Sequence, residues 1–164
     1  MKNDYISEIY EKDKLVLHPY ENFNDRGTYN RKLITKSDNI YLYDENGNKF
    51  IDGPGGMWCN NIGHGNREIG EAIKDQIEKM DYCSPFSEST EVSAELASVL
   101  ADLSPGDLNT IFFTSDGSTA NETALRFVMF YNNILGKPNK KHIITRDKAY
   151  HGSTYLTGSI TGKD

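Results

Sequence analysis

Ile111-Phe112-Phe113-Thr114-Ser115-Asp116-Gly117-Ser118-Thr119-Ala120-Asn121-Glu122-Thr123-Ala124 takes an apolar strand through a turn of small polar residues straight into a helix. The first amides of a helix have no intrahelical acceptor, and the aligned peptide dipoles leave that end partly positive. Gly117 lets the backbone come close to a ligand, and the amides from Ser118 onward then point outward as a cradle for a phosphate. Read alone, the segment fits equally well an ordinary strand-to-helix turn with Ser118 as its N-cap.

The flanks supply the context. Upstream, Ile40-Tyr41-Leu42-Tyr43 and Lys49-Phe50-Ile51-Asp52 bracket Asn46-Gly47, which predicts an antiparallel hairpin. Gly53-Pro54-Gly55-Gly56 interrupts regular structure, and the passage to a second domain is expected there: 1–56 as an N-terminal segment with the hairpin, 57–164 as the start of a larger α/β domain. Ile69, Ile73, Ile77 and Met80 recur at helical spacing, as do Val92, Leu96, Val99, Leu100 and Leu103 before Pro105-Gly106. Each predicts an amphipathic helix with one buried face. The helix after the cradle is expected to end at Gly136, and His142-Ile143-Ile144-Thr145 reads as another buried strand. Strand, helix, strand implies a parallel α/β sheet, and two strands are too few to close one, so a larger domain is expected. The residues to about Lys14 read as a short helix needing a partner surface, on another subunit or on further chain.

Composition narrows the function classes. With 164 residues, 37% hydrophobic and 26% charged, the chain has the makeup of a globular protein long enough for one domain and a sizeable core. A net charge of −6 gives no basic field, which argues against nucleic acid and requires local amides to hold any anionic ligand. No apolar run approaches the roughly 20 residues that span a bilayer, and Met1-Lys2-Asn3-Asp4-Tyr5 has no signal core, so no membrane role and a cytoplasmic address are expected. Cys59 and Cys83 read as reduced, partly buried thiols, and the four histidines show no metal-ligand spacing, so no metal is expected.

Several motifs in order resemble those of the class III aminotransferases, enzymes of the pyridoxal-phosphate-dependent transferase fold type I (aspartate aminotransferase-like). Phe112-Phe113-Thr114 to Glu122 is similar to the family's phosphate-binding turn. Tyr41-Leu42-Tyr43-Asp44, Gly47, Phe50-Ile51-Asp52-Gly53 and Asn61-Ile62-Gly63-His64-Gly65 follow its strand, hairpin and glycine-rich loop. Tyr150-His151-Gly152-Ser153-Thr154 matches its cofactor-stacking segment, so the likeness runs from about His18 to the end. It implies the N-terminal portion of a homodimeric transaminase that uses pyridoxal 5'-phosphate to move an amino group from an amine or ω-amino acid to a keto acid such as pyruvate. It assigns cofactor binding to Gly117, Ser118, Tyr150 and His151, with Tyr150 stacked on the pyridine ring. By the same resemblance, within the amine:pyruvate branch, Trp58, Tyr20 and Phe86 line the substrate site. On its own Trp58 fits plain core packing as well, and Tyr150 a rim position on the following helix.

Two residues depart from the family pattern. Asp116 stands where serine is common, so its carboxylate either faces the phosphate or turns aside to cap a backbone amide; capping is the favoured geometry. Thr119 replaces a common glutamate, and Glu122, at an acidic family position, receives no role. The lysine that forms the Schiff base, and the acid that pairs with the pyridine nitrogen, are expected beyond Asp164, since none of Lys140, Lys141, Lys148 and Lys163 sits in the family's lysine context. The 164-residue chain alone is therefore expected to be inactive. An aminomutase, racemase or decarboxylase of the same fold, a nucleotide-binding switch, and a non-catalytic truncated protein are the alternative readings. The nucleotide switch is the weakest, because no Gly-Lys-Ser/Thr ending follows Gly117.

Overall fold

The computed structural model describes residues 2–162, with the side chains of the first two of these left aside. It divides into two compact units, one through Cys83 and one from Ser84.

The first unit opens with α1 (Lys2–Asp13) and carries a three-stranded antiparallel sheet in the order β1 (Ile34–Asp38), β2 (Tyr41–Asp44), β3 (Lys49–Ile51). The Asn-Gly hairpin forms as expected, with Tyr41 opposite Ile51 and Tyr43 opposite Lys49. Asp44 fixes its turn: Oδ1 accepts from the amides of Asn46 (3.0 Å) and Asn48 (2.8 Å), and Oδ2 from Asn48 Nδ2 (2.8 Å). β1 was not legible in sequence, because Ile34-Thr35-Lys36-Ser37-Asp38 lacks apolar alternation. α1 reaches the sheet through Tyr10, whose hydroxyl donates to Glu45 Oε1 at 2.8 Å.

α2 (Gly55–Trp58) is one turn wound left-handed, with φ of 55° at Gly55, 60° at Gly56, 60° at Met57 and 67° at Trp58. For Met57 and Trp58 this conformation is strained by about 1–2 kcal/mol per residue. Backbone bonds from Trp58 to Pro54 (2.8 Å) and from Asn60 to Gly55 (3.0 Å) close the turn. The glycine-rich loop then returns to the sheet: Asn39 and His64 exchange both backbone bonds, and His64 Nε2 lies 2.9 Å from Asp52 Oδ2. α3 (Arg67–Lys79) begins at Asn66, whose Oδ1 accepts from the Ile69 amide at 3.1 Å.

The second unit contains α4 (Glu91–Leu103), capped by Thr90, then α5 (Gly117–Ile134) and α6 (Tyr155–Ile160). The breakers act where the sequence placed them, α4 ending ahead of Pro105 and α5 ahead of Gly136. The parallel strands expected at Ile111–Phe113 and Ile143–Ile144 are not strands here. Both segments lack regular structure, and the only sheet among the described residues is the antiparallel one. A strand exists only as half of a pair, and these two do not pair with each other.

The expected buried core is also absent. No hydrophobic residue among the described ones is buried; Ile69, Ile73 and Ile77 of α3 and Val92, Leu96, Val99 and Leu103 of α4 all stand exposed. The periodicity correctly gave the helices, but a stripe is buried only when another layer covers it. Among the described elements, the strands of the first unit pack on one another, and in the second unit α5 packs on α6. Both cysteines are free, Cys59 exposed and Cys83 half-buried.

Candidate functional site

The site of most chemical interest lies in the second unit, at the N-terminus of α5. Asp116, in extended conformation with φ −164°, is the N-cap, rather than Ser118. Its Oδ1 accepts from the Thr119 amide at 2.9 Å, while the Thr119 hydroxyl accepts from the Asp116 amide at 3.3 Å, a reciprocal capping box. Oδ2 accepts from the Ser115 hydroxyl at 3.0 Å. The Thr119 amide, with the Ser115 hydroxyl adding to it, holds the Asp116 carboxyl below its ordinary value. Of the two geometries weighed from sequence, the carboxylate adopts the capping one.

Gly117 is the first residue of α5. A Cβ built there would meet nothing within 4 Å, and its φ is not in the left-handed region. Neither packing nor backbone conformation therefore calls for glycine at this position. Gly117 thus leaves room for a ligand such as a phosphate to approach the backbone at the start of α5.

Three residues of the first turns of α5 tie down the segment that carries Tyr150 and His151. Ser118 Oγ accepts from the Ser153 amide at 3.2 Å, which leaves its own hydrogen to donate elsewhere. Asn121 Nδ2 donates to the His151 carbonyl at 2.8 Å. Glu122 Oε2 accepts from Thr154 Oγ1 at 2.5 Å and from the amides of Leu156 (3.1 Å) and Thr157 (3.4 Å). Thr154, the N-cap of α6, forms a capping box with Thr157: its amide donates to Thr157 Oγ1 at 3.1 Å, and the two hydroxyl oxygens lie 2.6 Å apart. To this local cap Glu122 adds a carboxylate from 32 positions before Thr154. The Thr154 hydroxyl foremost, then the two amides, holds the Glu122 carboxyl below its ordinary value.

The segment is fixed from its other side too. The His151 amide donates to Thr161 Oγ1 (3.1 Å), which itself donates to the Gly152 carbonyl (3.0 Å), and the His151 ring nitrogen Nε2 lies 2.7 Å from Thr145 Oγ1. Thr157 is fully buried beneath this loop. Ser118 and His151 thus belong to one hydrogen-bonded assembly within the unit, with Gly117 and the 57% exposed Tyr150 as their respective chain neighbours. Sequence reading assigns Glu122 no role and singles out neither Asn121 nor α6. The one available signal was Thr154-x-x-Thr157, which repeats the spacing of Asp116-x-x-Thr119.

The aromatic candidates are open to solvent. Trp58 is 76% exposed in its left-handed turn, and Tyr20, with φ 59°, is 87% exposed, both in the first unit. Phe86, in the second unit, is 99% exposed. The plain core packing that Trp58 allowed is not observed.

With this geometry in place, the likeness to known proteins can be stated. The family model described as Aminotransferase class-III matches residues 24–164. An uncharacterized aminotransferase of Sinorhizobium fredii is 38% identical over 96% of this chain and 35% of its own. A putrescine–pyruvate aminotransferase of Pseudomonas aeruginosa is 38% identical over 87% of this chain and 31% of its own. Among solved structures, an ω-transaminase from Pseudomonas jessenii in complex with PMP superposes with a TM-score of 0.90 at 36% identity, over 94% of this chain and 35% of that one. The chain belongs to the class III aminotransferases and spans about a third of the length of the relatives it matches.

Proposed function

We propose that this chain is the N-terminal third of a pyridoxal-phosphate-dependent transaminase that moves an amino group from an amine or ω-amino acid to a keto acid such as pyruvate. Family membership supports the reaction class. The observation that carries the cofactor reading is the tie between α5 and the Tyr150 segment, since one helix both opens the anion cradle at Gly117 and anchors Ser153, His151 and Thr154.

In this reading the amides of Gly117 and Ser118 and the Ser118 hydroxyl hold the phosphate, aided by the positive end of α5. Tyr150 stacks on the pyridine ring and fixes its plane, and His151, bonded to Thr145, orients the loop backbone. When bound, pyridoxal phosphate supplies an electron-withdrawing ring that stabilises negative charge on the carbon beside the transferred nitrogen, and it carries that nitrogen between substrates. Trp58, Tyr20 and Phe86 are the substrate-contacting residues, consistent with their exposure in the present chain. Residues 1–56 belong to the small domain and 57–164 open the cofactor-binding domain of a homodimeric, cytoplasmic enzyme, with the reactive lysine supplied from beyond this chain.

The test is direct. Full-length protein loaded with pyridoxal phosphate should form alanine from pyruvate and an amine donor such as a diamine, while the 164-residue chain alone should form none. Isomerised amino acid or carbon dioxide in place of alanine would assign the protein to a mutase, racemase or decarboxylase of the same fold. Turnover by the isolated chain would refute the placement of the lysine.

A further inference from the structure

Glu122 sits one turn into α5, and the functional reading gives it no contact with cofactor or substrate. Its bonds are all to one small region. A single oxygen, Oε2, gathers the Thr154 hydroxyl and the amides of Leu156 and Thr157, and Asn121, the preceding residue, holds the His151 carbonyl. Around them the loop has little slack. A Cβ at Gly152 would fall 2.5 Å from Thr157 Oγ1 and 2.8 Å from Ser118 Oγ, so the loop backbone rests directly on α5. Among the described residues no hydrophobic side chain of the unit is fully buried, so these polar bonds are the ones that fix the loop on the helix.

We infer that Glu122 is a positioning residue for the cofactor: by capping α6 from across the fold, it locks the Tyr150–Thr154 loop to the helix that holds the phosphate. The geometry explains why a carboxylate suits this position. One acceptor oxygen must serve a hydroxyl and two amides at a helix start, where the dipole favours negative charge. Removing it takes the carboxylate from the Leu156 and Thr157 amides and leaves the Thr154 hydroxyl only Thr157 Oγ1, which loosens the tie between α5 and the loop that follows Tyr150. The phosphate contacts at Gly117 and Ser118 are untouched by its loss. The expected defect is therefore in ring orientation as well as in affinity.

This inference rests on the proposed cofactor site, and the experiment separates the two. Full-length protein, Glu122→Ala, Glu122→Gln, Tyr150→Ala and the double variant Glu122→Ala/Tyr150→Ala would be titrated with pyridoxal phosphate. The readouts are the dissociation constant, the induced circular dichroism of the bound cofactor, and amide hydrogen exchange of residues 151–157 without cofactor. Glu122→Ala should weaken binding about tenfold, reduce the induced signal and deprotect the Leu156 and Thr157 amides. Glu122→Gln, whose amide oxygen still accepts, should recover most of each, and Tyr150→Ala should cost little more in the Glu122→Ala background. A lowered melting temperature with unchanged induced signal and affinity would overturn the positioning role, as would full additivity with Tyr150→Ala. Wild-type protein that gives no cofactor signal at all would overturn the functional reading itself, and this inference with it.

Discussion

Gly152 lies against Ser118 so closely that any side chain at residue 152 would have to displace it: an added Cβ would stand 2.8 Å from both Ser118 Cβ and Oγ, at a φ of +139°. The contact joins the loop that follows Tyr150 to the second residue of α5. Gly152→Ala combines a clash with backbone strain of about 1–3 kcal/mol. It should lower the melting temperature and weaken cofactor binding together. Gly53→Ala is the control, because nothing lies within 4 Å of its Cβ position and its φ is ordinary. Equal melting temperatures for the two variants would contradict the close packing.

Gly117 makes the opposite case. Its Cβ position is open, so Gly117→Ala should leave the melting temperature within a degree or two, alanine being the better helix former. Pyridoxal phosphate binding should fall by about tenfold, because the methyl group keeps the phosphate from the backbone amides. A stable variant with undiminished affinity would remove Gly117 from the cradle.

Asp116 caps α5 with both carboxylate oxygens engaged. Serine is also a good N-cap, so Asp116→Ser should bind cofactor about as well as wild type, whereas Asp116→Ala, with no cap, should melt lower. Titration at low and high salt checks this. Tighter binding by the serine variant, with an advantage that shrinks as salt rises, would mean that the carboxylate repels the phosphate.

For Tyr150→Ala, loss of ring stacking worth about 0.5–1.5 kcal/mol should weaken cofactor binding roughly two- to tenfold. The ring is more than half exposed, so the melting temperature of the apo-protein should change little. A large fall in melting temperature with intact cofactor retention would make Tyr150 a packing residue.

Glu122 also makes the α6 cap sensitive to acid. Its carboxyl is held below its ordinary value by the Thr154 hydroxyl and two amides, with Arg126 adding attraction. A depressed carboxyl contributes stability in full above its unfolded value, and loses it as pH falls through the folded one. The melting-temperature gap between wild type and Glu122→Gln should therefore be constant near neutrality and close in acid, below the ordinary carboxylate range. A gap independent of pH would show that charge at Glu122 contributes nothing.

The sequence by itself determined the local elements and the family. Asn46-Gly47 specified the hairpin, periodic apolar residues specified α3 and α4, and Gly136 marked the end of α5. Ordered motifs from His18 onward identified a class III aminotransferase. These are short-range signals, written in neighbouring residues. Which partner each residue takes was decided only in three dimensions. Asp116, rather than Ser118, caps α5, and Glu122 reaches the amides of α6 from 34 and 35 residues away. Ile111–Phe113 and Ile143–Ile144 carry strand-like residues yet form no strand, and the isoleucines of α3 stay exposed. Pairing and burial are relations between distant segments, so a residue's pattern states what it can do, and the neighbour that folding brings to it decides what it does.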